Sequence, residues 1–334
     1  MIEILDSCAV LGNGLIPAEA LRASGMTTYT VHQLLLRGEL AQVRRGWYVL
    51  GPKWNNARPE ERYQFFVRAT AAQSTTDLML SHHSAAVMHG LPLIGTWPAT
   101  VHALHPDAVG GSSQRILTSH RTLTEPQPVV VDGVKVTSLT RTVVDMVAGS
   151  SFLIGVTMVD HVLHQEEARL QREQRTGLRG APPITKETLL DELHTVHPRL
   201  GRRAGERAIA FANGLSANAG ESLSRVRFEE LGFEVPELQV RFVVQGRTYF
   251  VDYFWRGVRK IGEFDGGIKY TRAEIMAGRD IVGVVAAEKN REDALRPQVN
   301  SFTRWGWVLA YNAPAFDRFL SDHDVPRARG RRAD

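Results

Sequence analysis

"VDYFWRGVRKIGEFDGGIK", residues 251–269, decides how the C-terminal third of the chain is read. Two strand-like runs, 247–255 and 258–265, flank a break at Arg256–Val258, so a hairpin is predicted. A two-residue loop at Gly257–Val258 places Asp252 opposite Glu263, whereas a loop at Arg256–Gly257 makes them diagonal neighbours. In both registers Asp252, Glu263 and Asp265 share one face, because strand side chains alternate, while Val251, Tyr253 and Phe264 take the other. Like charges side by side repel, and a hard divalent cation such as Mg2+ would neutralise them through oxygen ligands. Asp252, Glu263 and Asp265 are therefore the candidate metal ligands, with catalysis at a phosphodiester as the matching chemistry. Lys269, beyond the paired glycines, would stabilise charge developing on the phosphate. Glu221 would approach from a helix predicted over 221–231, where Leu223, Val226, Phe228 and Leu231 recur at core-like spacing. A salt-bridge cluster of Asp252, Glu263, Lys269 and Arg291 is the open alternative.

Working outward, the 334 residues suffice for two or three domains, and 43% hydrophobic content supports packed cores. The net charge of +4 is only a weak pointer to a polyanionic partner. Arginines nevertheless cluster at Arg44–Arg45, in "RLGRRAGER" (199–207) and in "RARGRRAD" (327–334), the last reading as a solvated tail. A single cysteine, Cys8, excludes an internal disulfide framework and a cysteine-based zinc cluster. The start "MIEILDSCAV" lacks a basic n-region, and no apolar run approaches the ~20 residues of a membrane span. The expected compartment is the cytoplasm, with no membrane partner.

Residues 15–50 divide into two short helices and a hairpin. Pro17 suits a first helical turn, Gly25 breaks that helix, and Thr27 or Thr28 caps the next. Val31, Leu34 and Leu35 recur at helical spacing before Gly38, and Leu40, Val43, Trp47 and Val49 then read as two strands. Arg44-Arg45-Gly46 falls at the hairpin tip. This is the pattern of a winged helix-turn-helix. Thr28, Thr30, His32, Gln33 and Arg37 would meet double-stranded DNA in the major groove, and Arg44 and Arg45 would neutralise phosphates.

This stretch, together with "LSHHSAAVMHGLPL" (80–93) and "GVKVTSLTRTVVDMVA" (133–148), resembles the AbiEi family of antitoxins over roughly the first 150 residues. The resemblance implies a regulator that represses its own promoter and is paired with a nucleotidyltransferase-like toxin. From the residues themselves, His82 and His89 stand two helical turns apart, ~10 Å, too far for one zinc ion with ~2 Å bonds. Arg141 and Asp145 have the spacing of a helix-surface ion pair, with Thr140 as a cap. "TGLRGAPPIT" (176–185) reads as a hinge or loop, and "RLGRRAGER" as a solvated helix start or a phosphate-contacting patch.

The opening stretch, "EKNREDALR" (288–296) and "FTRWGW" (302–307) resemble the very-short-patch-repair-like branch of the PD-(D/E)xK nucleases over roughly 216–310. That resemblance implies a restriction-endonuclease-like fold. Two departures stand out: Asp265 occupies the position of the superfamily's lysine, and Lys269 that of the branch's histidine.

The expected architecture is thus a multidomain α+β and α/β chain. It comprises a winged helix-turn-helix over 1–55, an AbiEi-like mixed α/β domain over 56–150 and a helical connector over 151–215. A nuclease-like domain over 216–320 and a basic tail over 321–334 follow. The expected function is a DNA-binding, antitoxin-type transcriptional regulator, with a homodimer among its assemblies. A Mg2+-dependent DNA endonuclease targeted by its winged helix is the alternative.

Overall fold

The computed structural model describes residues 5, 14–105, 112–113, 116–122, 126–197, 199–266 and 289–328. The chain is a mixed α/β protein whose described residues build three sheets. It divides into two compact units, Met1–Gly155 with Ile184–Ile209, and Val156–Pro183 with Ala210–Asp334. The stretch read as a connector therefore contributes to both. Among the described residues no helix is long and apolar enough to cross a membrane.

Unit 1 begins with β1 (Ile16–Pro17), α1 (Ala18–Ala23), α2 (Thr28–Leu36), β2 (Leu40–Arg44) and β3 (Trp47–Leu50), the sheet order being β1-β3-β2. Thr27, not Thr28, caps α2: its hydroxyl accepts from the Thr30 N–H at 3.1 Å. Leu21, Met26, Leu34 and Leu40 close a small core with Ile16. The other face of the hairpin buries Val49, with Leu15, on Phe65 and Ala69 of α4 (Pro59–Gln73), which follows α3 (Gly51–Asn56). Gly51 is obligatory there, because a Cβ would sit 1.7 Å from the Gly38 carbonyl oxygen.

The second sheet joins β4 (Met79–Leu80), β5 (Val101–Leu104), β6 (Ser112–Ser113), β7 (Leu117–His120), β8 (Pro128–Val131) and β9 (Val134–Thr137) in the order β6-β7-β5-β4-β9-β8. β4 runs parallel to β9 and β5 to β7; the other pairs are antiparallel. Leu80, Val101 and Val136 pack with Tyr63 and Val67 of α4 and with Ala85 and Val87 of α5 (His82–Met88). Helix α6 (Leu139–Gly149) is capped by Ser138, which accepts from the Arg141 N–H at 3.2 Å, rather than by Thr140. Arg141 and Asp145 do pair along α6, but inside the protein rather than on its surface. After α7 (Phe152–Thr176), α8 (Lys186–Val196) packs on α6, and α9 (Arg202–Phe211) follows.

Unit 2 carries α10 (Ala219–Glu230) and a four-stranded sheet of β10 (Glu237–Val244), β11 (Arg247–Trp255), β12 (Lys260–Asp265) and β13 (Ser301–Gly306), in that order. β12 and β13 are parallel and the rest antiparallel. On one face Phe228 of α10 meets Tyr253, Trp255 and Trp305 edge-on at 5.3–5.8 Å between centroids. α10 presses close enough that a Cβ on Gly220 would lie 2.0 Å from the Phe264 ring. α11 (289–295), α12 (Trp307–Tyr311) and α13 (Ala313–Asp322) follow, and Arg327 pairs with Phe233 in an isolated antiparallel bridge. The β11–β12 register pairs Tyr253 with Gly262 and Trp255 with Lys260, the first of the two expected alternatives. The loop, however, is longer than two residues: a single 3₁₀ turn, Arg256–Val258, is followed by Arg259 in the left-handed region at φ 48°.

Candidate functional site

The antiparallel ladder stops at Tyr253–Gly262, one step before Asp252 and Glu263 would face each other. Asp252 takes over there: its Oδ2 accepts the Phe264 N–H at 2.9 Å, and its Oδ1 accepts from Gln239 Nε2 at 3.3 Å. Burial pushes the Asp252 carboxyl up, while the Phe264 N–H and Arg291 oppose that rise. Glu263 is only 4% exposed. Arg291 of α11 grips it, with Nη1 donating to Oε2 at 2.8 Å and Nη2 lying 2.7 Å from Oε1. One N–H of that second nitrogen donates to the Phe250 carbonyl, and among the described residues Oε1 receives charge but no aligned hydrogen bond. Arg304, paired with Glu263 across the parallel strands, adds a contact to Oε2 at 3.0 Å. Burial pushes the Glu263 carboxyl up as well, with Arg291 pulling it back.

Glu221 belongs to α10, on the Tyr253 and Phe264 side of the sheet, and its carboxylate turns back to accept the Ala217 N–H at 2.8 Å. Burial, with the nearby Asp252 charge, pushes its carboxyl up to about 7. Asp265 ends β12 and is exposed; Lys269 lies outside the described residues. Among the described residues no three carboxylate, histidine or cysteine side chains converge as a metal ion requires. The Mg2+ site expected from Asp252, Glu263 and Asp265 does not fit this arrangement. Glu263 is committed to two guanidiniums, Asp252 to a backbone N–H and an amide, and Asp265 stands at the strand end.

The second candidate surface is α2 with the β2–β3 tip. Thr28, Tyr29, His32 and Leu36 form one outward stripe, and Arg37 ends it beside Glu39 at 3.9 Å. Tyr29 is 72% exposed and Leu36 68%, two outward residues that periodicity alone assigned to no role. Thr30 and Gln33 are half-buried, and the Thr30 hydroxyl lies 2.9 Å from that of Thr27. At the tip the two arginines differ. Arg45 is exposed, whereas Arg44 is half-buried, burial lowers its pKa, and its Nη1 has no hydrogen-bond partner among the described residues. Gly46 (φ 81°) closes the turn, and its carbonyl accepts the Ala18 N–H at 2.8 Å, tying the tip to α1.

A third group escaped the sequence because its members come from separate elements. His82 stacks on His120 at 3.6 Å between centroids, and His120 Nε2 lies 2.9 Å from His102 Nδ1. Burial drives His82 and His102 down to about 3 and His83 to about 4. Asp145 stands behind them, held by Arg141 Nε at 3.0 Å and His197 Nε2 at 2.9 Å. Nearby in sequence, Arg199, Arg202 and Arg203 line a recess of about 510 Å³, with Arg202 paired to Glu206 at 2.8 Å.

No family model matches the sequence, and no curated protein matches it. Among solved structures, the RV2827C protein from Mycobacterium tuberculosis is similar at 15% identity over 63% of this chain and 80% of that chain, with a TM-score of 0.31. Likeness at that level carries no inference about function.

Proposed function

We propose that the protein is a DNA-binding transcriptional regulator of the antitoxin type, whose restriction-endonuclease-like C-terminal domain binds rather than cuts. The observation that carries this reading is the outward stripe of α2 beside an exposed arginine at the hairpin tip. In a winged helix-turn-helix, α2 enters the major groove, where Thr28, His32 and Arg37 meet base edges and phosphates. Tyr29 adds an amphipathic contact on the same face, and Arg45 neutralises a backbone phosphate. The proposed partner, from the AbiEi-like resemblance, is a nucleotidyltransferase-like toxin encoded beside it.

Fluorescence anisotropy across a salt series, on the chain's own promoter and an unrelated duplex, tests the reading. Arg45→Ala weakens both duplexes alike and lowers the salt slope by about one phosphate's worth. Tyr29→Ala instead reduces the preference for the promoter. Unchanged affinity in both variants at low salt sinks the DNA-reading face. Metal-dependent cleavage of DNA that disappears in Asp252→Ala would instead establish the endonuclease alternative.

A further inference from the structure

We infer that Arg291 is the resident cation of the Glu263 site, standing where a divalent metal would otherwise neutralise the carboxylates. The inference rests on reading Asp252 and Glu263 as the acidic centre of a nuclease-like fold. Glu263 is almost wholly enclosed, and an enclosed carboxylate requires a counter-charge and donors for its oxygens. Arg291 supplies the charge and a donor to one of the two oxygens, Oε2. Its fork reaches the two Glu263 oxygens, and its Nη2 also bonds the Phe250 carbonyl on the neighbouring strand. The guanidinium thus bridges β11 and β12 where their own ladder has ended. Arg304 approaches the same carboxylate but divides its charge with Glu292, at 3.6 Å.

Charge balance decides what else the site takes. Among the described residues Asp252, Glu263 and Glu292 contribute three negative charges, and Arg291 and Arg304, both of which act on Asp252 as well, contribute two positive ones. One negative charge is left, half of what a divalent ion would neutralise, and two guanidiniums oppose its approach. Deleting Arg291 alone raises this to two negative charges on oxygen ligands, the chemistry that Mg2+ and Mn2+ select. The side chain of Arg291 is 30% exposed, so an ion can reach its place from solvent.

The test uses the full chain, with Mn2+ as the probe. Thermal unfolding is followed with and without millimolar Mn2+ at matched ionic strength, and bound Mn2+ is counted from the loss of its free-ion electron paramagnetic resonance signal. Wild type shows no midpoint shift and no bound ion dependent on Glu263. Arg291→Met has a lower midpoint that Mn2+ restores, binds the ion at least roughly tenfold more tightly than wild type, and loses both properties on adding Glu263→Gln. Arg291→Lys keeps the charge and gains no Mn2+ response. Two results overturn the inference: an Arg291→Met protein indifferent to Mn2+, or wild-type binding of Mn2+ that Glu263→Gln abolishes. The second is read on wild type and Glu263→Gln even if Arg291→Met does not fold. Neither bears on the anisotropy of Arg45→Ala, so the two proposals fail separately.

Discussion

Each unit buries a guanidinium–carboxylate pair, Arg141 with Asp145 in unit 1 and Arg225 with Asp160 in unit 2, but the groups added to it differ. Unit 1 gathers imidazoles, His82, His83, His102 and His120, and burial lowers their pKa values so that the rings pack together uncharged, with Asp145 behind them. Unit 2 gathers carboxylates, and there the chain supplies guanidiniums: Arg225 for Asp160, and Arg291 with Arg304 for Glu263. The difference follows from ordinary ionisation. An imidazole with a pKa near 6.5 becomes neutral at pH 7 at little cost, whereas a carboxylate near 4 does so only at several pKa units' expense. Unit 1 is thus sensitive to added protons, and unit 2 to removed cations.

Removing cations gives the largest expected effect, and it ranks the two arginine networks. Asp160 is fully enclosed and accepts from Arg225 Nη2 at 2.7 Å, Ser222 Oγ at 2.8 Å and the Asn213 N–H at 2.6 Å. Arg225 is 3% exposed. Arg225→Met strands a buried charge and should cost about 3–5 kcal/mol in denaturant-unfolding measurements. Arg291→Met should cost about 1–3 kcal/mol, because Arg304 remains and water reaches both of its guanidinium neighbours. Equal losses would erase the distinction between a sealed network and an open one.

Added protons give the next effect. His82 falls to about 3 in the folded chain against an ordinary 6.5, so the unfolded chain binds more protons between those values. Its contribution is intact above about pH 6.5 and is lost as pH falls toward the folded value, by roughly 2–3 kcal/mol near pH 4. His102, His83 and His120 act in the same sense, while Asp145, with Arg141 and His197 on it, is the charge facing them. His82→Asn removes one titration and suits the left-handed backbone at φ 47°. Hydrogen exchange at about pH 4.5 should show unit 1 opening more readily than at neutral pH, and less so in His82→Asn. Parallel acid losses in the two proteins would count against the cluster as the cause.

These contrasts also mark what local pattern carries and what it does not. The shared face of Asp252 and Glu263 follows from period two, which leaves the choice between the two β11–β12 registers open, and the α2 boundary follows from the Thr27–Thr28 cap position and the spacing of Val31, Leu34 and Leu35. The loop between β11 and β12 escaped, because Arg259 adopts a left-handed conformation that nothing in its residue type demands. Arg304 reaches Glu263 only because β13 returns parallel to β12, a pairing across 41 positions. Likewise His102 meets His120, and His197 meets Asp145, through sheet order and helix packing, which no spacing encodes. Arg141 and Asp145 were legible as a pair, but their burial depends on α8 packing over α6.

The smallest expected effect reverses the sign of the histidine response and comes from unit 2. Glu221 sits at about 7 in the folded chain against an ordinary 4.5, raised by burial and by Asp252. Its folded pKa is raised, so its stabilising contribution is full below about pH 4.5 and disappears as pH rises through about 7. Glu221→Gln cannot ionise. Losing one acceptor, for the Ala217 N–H or the Asn218 amide, costs it about 1 kcal/mol at every pH. Above pH 7 it also escapes the charge that wild type must bury. The stability difference between variant and wild type should therefore move toward the variant by on the order of 2 kcal/mol between about pH 4.5 and pH 8. Histidine titration in unit 1 is common to both proteins and cancels in that difference. A difference that stays flat over this range would mean that Glu221 ionises as freely in the folded chain as in the unfolded one, and that Asp252 exerts no charge upon it.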